Sequence, residues 1–308
     1  MIPYEVTLCY KGGDARKFEP PAMTPELWAL LSAAAWAVDS ILVRKGSAYS
    51  NASTAAFISF SVNVAALIPL VLWHYSTAQI FHPGNLYFAA SGVIQPAMVR
   101  VMFYMGIMRL GVSRAGPLRG IAPLFTLALA FFTLGERPGL SVYWGALMTV
   151  AGIWLVSYER PGEQKWRKID LLFPLGAAVL ASISQNIRKL GLNVTGEPLL
   201  ASTVSITTSF FCLVGSLAVS GGCRSLKFRG GCLPYYLSAA IFALFGQFFT
   251  FRALHKGDLS VVSPIINTTP LFILAFTALF LRGEEKINKL VLLGVLLIVG
   301  GIALITGR

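Results

Sequence analysis

The sequence predicts an all-α integral membrane protein whose ten transmembrane helices form two inverted five-helix repeats. Three observations predict it. The 308 residues are 56% hydrophobic and only 12% charged, with a mean hydropathy of +0.70, whereas soluble domains run near ~25% charged. The apolar text falls into ten runs close to the roughly 17–25 residues that cross a bilayer as a helix. Finally, GPLRGIAPLFTLALAFFTLGE at 116–136 is echoed by SPIINTTPLFILAFTALFLRGE at 263–284.

Taken in order, the spans are expected at 27–43, 54–73, 86–107, 112–134, 141–157, 170–187, 199–220, 233–254, 259–281 and 288–306. Turn and charge signals separate them, among them HPGN, GERPG, ERPGEQKWRK, RKLGLNVTGEP, HKGD and RGEEKINK. A closed β-barrel also satisfies its backbone in lipid, but its strands alternate apolar and polar, and LVLLGVLLIVGGIALI is apolar on every side. Residues 1–26 carry charges, glycines and prolines and read as a polar, extended or disordered tail. They lack a signal peptide's basic start, apolar core and cleavage site, so the first span is expected to direct insertion. The net charge of +12 belongs, in such a protein, to cytoplasmic loops rather than to nucleic acid.

Superposing the two Pro-Leu-Phe triplets gives an offset of 147, which sets Pro117 on Pro264, Pro123 on Pro270, Tyr104 on Phe251 and Arg109 on Lys256. With small drifts in loop length, Gly135-Glu136 meets Gly283-Glu284, and Gly145 and Gly152 meet Gly294 and Gly301. Arg44-Lys45 aligns with Arg188-Lys189 at an offset of 144. Spans 1–5 are thus copied as spans 6–10. Five is odd, so the second copy starts on the opposite side of the membrane and the repeats are inverted. Inverted repeats characterise secondary transporters, in which the substrate site lies near the midplane between the halves and rocking alternates access.

The chain resembles the drug/metabolite transporter superfamily, specifically its EamA-type members with two five-helix repeats. The resemblance is carried by LWALLSAAAWAVDSILVRKG, by FYMGIMRLGVSRAGPL and FFTFRALHKGDLSVVSP, and by the paired PLF…GE segments with their glycine-spaced closing helices. It covers about residues 27–306 and divides the chain into a first EamA-like repeat at 27–160 and a second at 168–306. It implies transport of a small metabolite, such as an amino acid or a phosphorylated compound, and it names no substrate. It also implies cytoplasmic termini. The charge count leans the other way, since the odd-numbered loops hold 14 Lys and Arg against 9 in the tails and even loops. Orientation stays open between the two.

Polar groups inside spans carry the chemistry. An Arg near the bilayer centre costs about 2.5–3.5 kcal/mol on insertion scales, so it faces protein or a wet cavity. Arg100 and Arg119 stand in such positions. The second half does not copy them: Arg100 meets Gln247, and Arg119 meets Ile266 with Asn267, Thr268 and Thr269 beside it. The repeat builds a two-fold scaffold, and the arginines mark where function breaks it. A guanidinium matches carboxylate and phosphate, so the expected substrate is an anionic or zwitterionic small molecule such as an amino acid, an organic acid or a phosphorylated compound.

The expected substrate-binding residues are Arg100, Arg119, Gln247, Asn267, Tyr104 and Trp36, with Gln95, Asn63, Gln185 and Asn186 as further donors. Asp39 is the one carboxylate placed inside a span and reads as a coupling group or counter-ion. Pro96, Pro117, Pro123, Pro264 and Pro270 are expected to kink helices and free carbonyls. The Gly-Glu pairs read as structural helix exits, and the closing-helix glycines as small faces for close contact, within one chain or between protomers.

No phosphate loop, nucleophile elbow, HExxH or paired mid-depth acids are present, so no enzyme, metal site or cofactor is expected. The expected partners are a small-molecule substrate and the lipid bilayer, with no nucleic acid, the expected location is the cell (plasma) membrane, and the oligomeric state is left open, monomer and homodimer among the options. The alternatives are a flippase for an anionic lipid headgroup and a membrane-embedded protein that does not transport.

Overall fold

A computed structural model describes residues 23–47, 49–99, 102, 105, 118–156, 167–219, 226–228, 231–280 and 289–307. Every regular element among them is helical. In chain order these are α1 (Pro25–Ser47), α2 (Ala52–His74), the short α3 (Thr77–Ile80), α4 (Asn85–Gly92) running into a π-type segment (Val93–Met98), α5 (Ala122–Thr133) and α6 (Leu140–Val156). A 3-10 turn (Lys168–Leu171) then leads into α7 (Leu172–Thr195), followed by α8 (Pro198–Val219), α9 (Leu233–Lys256), α10 (Leu259–Ile266), α11 (Thr269–Phe280) and α12 (Lys289–Thr306).

Five helical stretches are long and apolar enough to cross a membrane: Pro25–Val43, Ser53–His74, Lys168–Thr195, Pro198–Val219 and Leu233–Lys256. Shorter apolar helices lie at Ala122–Thr133, Leu140–Leu155, Leu259–Ile273 and Leu293–Thr306. Large apolar side chains such as Trp73, Phe132, Trp144 and Phe211 point outward and stay exposed. An aqueous surface would not carry so many; lipid accepts them.

Local signals set several helix ends. Asn51 caps α2 by accepting from the Thr54 amide at 3.0 Å. Gly196 ends α7 in the left-handed conformation (φ +66°), and Gly135 (φ +67°) does the same after α5. The Glu136 amide then turns back to the Ala130 carbonyl at 3.3 Å.

The packing is paired across the repeat. Helix α1 lies on α9, and its repeat mate α7 lies on α4 and the 93–98 segment. Likewise α2 on α9 is matched by α8 on α4, and α1 on α10 and α11 by α7 on α5. Helices α6 and α12, also repeat mates, cross each other directly. A Cβ at Gly145 would lie 2.6 Å from the Gly301 carbonyl oxygen, and one at Gly152 would lie 2.5 Å from that of Gly294. The closing glycines therefore serve contact within one chain.

Serines seal the interface of α4, α7 and α8. Ser91 and Ser205 share a hydroxyl contact of 2.8 Å, Ser209 donates to the Gly92 carbonyl, and Ser184 donates to that of Ser91. Where a small side chain lets backbones approach, its hydroxyl takes up a carbonyl.

One expectation needs correction. The sequence predicts RKLGLNVTGEP as the loop after a span ending at 187, but α7 continues to Thr195 and places Arg188 and Lys189 inside it, both buried. Gly191 lets the Phe88 ring approach the helix there, since a Cβ on it would meet that ring at 2.6 Å.

Candidate functional site

Helix α4 does not continue straight. At Gln95 the backbone leaves helical geometry (φ −131°, ψ 124°), as expected of a residue before a proline, here Pro96. The break frees the Gln95 carbonyl, which accepts from Arg188 Nη2 at 3.2 Å. Arg188 projects from α7 and is 3% exposed. Its guanidinium lies 5.2 Å from the Phe251 ring centroid, and Phe251 meets Phe88 edge-on at 6.0 Å. A cation over an aromatic face gains part of what it loses by leaving water.

This cluster is incompletely satisfied. Arg188 Nε, Gln95 Oε1 and Gln185 Oε1 are buried and have no hydrogen-bond partner, and Gln185 lies one turn before Arg188 on the same helix. Each unmade bond costs about 1–3 kcal/mol. Among the described residues no carboxylate is bonded to Arg188. A folded protein that keeps an unneutralised cation beside two free amide oxygens has prepared a polar site.

The other expected residues distribute around the same bundle. Gln247 is buried on α9, one turn before Phe251. Trp36 is half-buried and packs flat over Gly246, with Nε1 3.5 Å from Thr250 Oγ1. Ser32, one turn earlier, donates to the Gly246 carbonyl and touches Thr250 Oγ1 at 2.7 Å. Asp39 is half-buried in the outer part of the first membrane-crossing stretch. Arg119 is half-buried just before α5 and has no hydrogen-bond partner among the described residues. Nearby, the Ala122 carbonyl accepts from Ser182 at 2.8 Å. Arg100 and Tyr104 lie outside the described residues.

Asn267 sits half-buried between α10 and α11 and donates to the Ser263 carbonyl at 2.8 Å. Thr268 and Thr269 return their hydroxyls to Ile265 and Ile266. The chain turns at 120–121 before α5 and again at 267–268 before α11. These positions superpose at the 147 offset, so the repeated proline-rich text builds the same interruption twice. Of the further donors, Asn186 is committed to Thr133 and the Ser182 carbonyl, whereas Asn63 Oδ1 is buried and unpaired.

A second polar cluster closes one end of the bundle. Lys189 Nζ donates to the carbonyls of Leu254 and Gly257, each at 2.8 Å, and so caps the C-terminus of α9. The Glu136 carboxylate accepts from the amides of Leu259 and Ser260, both at 2.8 Å, at the N-terminus of α10. Each charge has the sign that complements its helix dipole. Just outside the spans, Tyr75 donates to Glu197 at 3.0 Å, and burial with that carboxylate holds its phenol well above the usual tyrosine range.

The sequence singles out Arg119, Gln247 and Asn267 inside the spans, whereas it places Arg188 and Lys189, both buried in α7, in a loop. It also assigned Glu136 a helix exit without its partners in the other half. Cys212 and Cys232 are free thiols, and no cluster of metal-ligating side chains occurs among the described residues.

Comparison with known proteins places this arrangement. The chain is 25% identical over 281 residues to an uncharacterized transporter of Archaeoglobus fulgidus, across 91% of this chain and 96% of that one. A protein of known crystal structure, 16% identical, shares the fold with a TM-score of 0.76 over 92% of this chain and 96% of its own. The EamA-like transporter family matches twice, over residues 23–158 and 168–307. With both halves matched, this all-helical membrane protein belongs to the EamA-like transporter family.

Proposed function

We propose that the protein is a secondary transporter of a small anionic or zwitterionic metabolite in the plasma membrane. It works by alternating access between two inverted halves, with ten spans in all. The observation that carries this reading is the cationic interior: Arg119 and Arg188 stand among the helices with no bonded carboxylate among the described residues. The interrupted helices support it, because a broken helix in a membrane is tolerated where it lines a cavity or is buried in protein. The cross-repeat pairing of helices supports the inverted arrangement, which lets one half rock against the other. Arg100, Arg119, Gln247, Asn267, Tyr104 and Trp36 remain the assigned substrate-binding set, with Asp39 as counter-ion or coupling group.

Counterflow in proteoliposomes tests it. Vesicles preloaded with a panel of amino acids, organic acids or sugar phosphates should accumulate the matching labelled compound, and Arg119→Gln should abolish accumulation while the protein still purifies as a folded species. Accumulation of cationic or neutral solutes only, unchanged in Arg119→Gln, would overturn the anionic reading.

One observation favours a second reading, a flippase for an anionic headgroup. An apolar lateral groove of about 380 Å³ opens between α1, α9 and α11, lined by Leu31, Ala35, Val38, Phe242, Phe245 and Phe276 among others. Acyl chains fit such a surface. Dithionite quenching of labelled anionic lipid in the same vesicles separates the two: flipping without solute counterflow selects the flippase.

A further inference from the structure

Arg188 is not explained by bracing the break at Gln95. That brace occupies Nη2, which donates to the Gln95 carbonyl at 3.2 Å. The Nε–H remains buried and unpaired. A ligand reaching this Nε–H meets one charged donor, which calls for an oxyanion. Nearby it meets two unpaired acceptors, Gln95 Oε1 and Gln185 Oε1. A bare carboxylate satisfies the arginine and leaves both amide oxygens starved. A carboxylate with an N–H or O–H on the adjacent carbon can satisfy both kinds of group at once. Phe251 and Phe88 form an apolar wall beside the guanidinium, and Gln247, buried one turn along α9 from Phe251, lies on the same wall.

We infer that Arg188, Gln185 and Gln95 form the anchoring subsite for the substrate's charged end, and that the ligand it takes is an α-amino or α-hydroxy carboxylate. This rests on the reading of the protein as a carrier of anionic or zwitterionic metabolites and goes beyond it in naming both the residues and the ligand chemistry. The oxyanion accepts from Arg188 Nε, and the α-substituent donates to the glutamine oxygens. Binding involves no covalent step. The subsite explains why the second half holds a buried arginine that its repeat mate Arg44 does not match with a glutamine: position 41, one turn before Arg44, is isoleucine where α7 has Gln185.

The test is thermal unfolding of the detergent-purified full chain with sugar phosphates and with two matched trios: alanine, lactate and propionate, then phenylalanine, phenyllactate and 3-phenylpropionate. A ligand at a hundred times its dissociation constant should raise Tm by roughly 5 °C in a protein of this size. The α-amino or α-hydroxy member of at least one trio should give such a shift at concentrations where the unsubstituted acid gives little. Arg188→Gln should remove the shift, Lys45→Gln should keep it, and Gln185→Leu should erase the preference for the α-substituent.

An equal shift in wild type and Arg188→Gln overturns the subsite while leaving the carrier reading standing. Stabilisation by sugar phosphates alone does the same. Silence from every anion, phosphates included, removes both. If Arg188→Gln does not fold, Gln185→Leu decides: an undiminished preference for the α-substituted acid overturns the assignment.

Discussion

Two pairs of repeat-related helices have opposite fates in this molecule. Helices α6 and α12 meet through glycines that occupy matching places in the two copies, so each half presents the other with the same small face. Helices α1 and α7 also match, down to the dipeptides Arg44-Lys45 and Arg188-Lys189. Yet Lys45 is exposed near the end of α1, whereas Lys189 is buried and caps α9. The first pair keeps the symmetry because packing needs only shape. The second departs from it because an interior charge needs particular partners, and α7 is provided with them: the freed Gln95 carbonyl for Arg188, and the carbonyls of Leu254 and Gly257 for Lys189.

Substitutions break this comparison at either end. The largest loss of stability is expected from Gly152→Leu, whose side chain would enter the space of the Gly294 carbonyl 2.5 Å away. Overpacking of this kind costs roughly 1–3 kcal/mol, and here the upper end should appear as aggregated protein on size exclusion. Next comes Lys189→Met, which leaves two carbonyls without their charged donor. Hydrogen bonds to charged groups contribute about 1.5–3 kcal/mol, so Tm should fall clearly, while the repeat-equivalent Lys45→Met should stay within about 0.5 kcal/mol of wild type. Equal effects at the two lysines would erase the distinction drawn between the halves. Glu136→Ala should cost about 1 kcal/mol, as lost helix caps do, with hydrogen exchange speeding first at the Leu259 and Ser260 amides. A loss no larger than this is expected for Ser32→Ala, about 0.5–1 kcal/mol, since Thr250 keeps its own bond to the Gly246 carbonyl at 2.8 Å.

Much of the scaffold was legible in the sequence because it depends on composition and spacing. Apolar runs marked the long helices. The doubled proline-rich text marked the interruption before α5 and again before α11. The glycine pairs marked the crossing of α6 and α12.

The proposed site is legible only in part, because Arg188 falls where the sequence predicts a loop. A charged dipeptide near a span's end normally marks water, and nothing local to Arg188 contradicts that. The stop signal lay further on: Gly196, two residues before Pro198, is the left-handed terminator that fixes the helix end at Thr195, and it carries Arg188 seven residues inside. What no reading along the chain supplies is the partner set. Gln95 is 93 residues away from Arg188, Leu259 lies 123 residues from Glu136, and only folding brings them together.

The central claim is that function resides where the halves differ, so the most direct measurement compares repeat mates. Counterflow of α-amino and α-hydroxy acids into proteoliposomes should be run with wild type, Arg188→Gln and Arg44→Gln, each checked for equal incorporation. The account predicts saturable accumulation by wild type and Arg44→Gln, and none by Arg188→Gln. Undiminished accumulation by Arg188→Gln, or an equal loss in both variants, would contradict it.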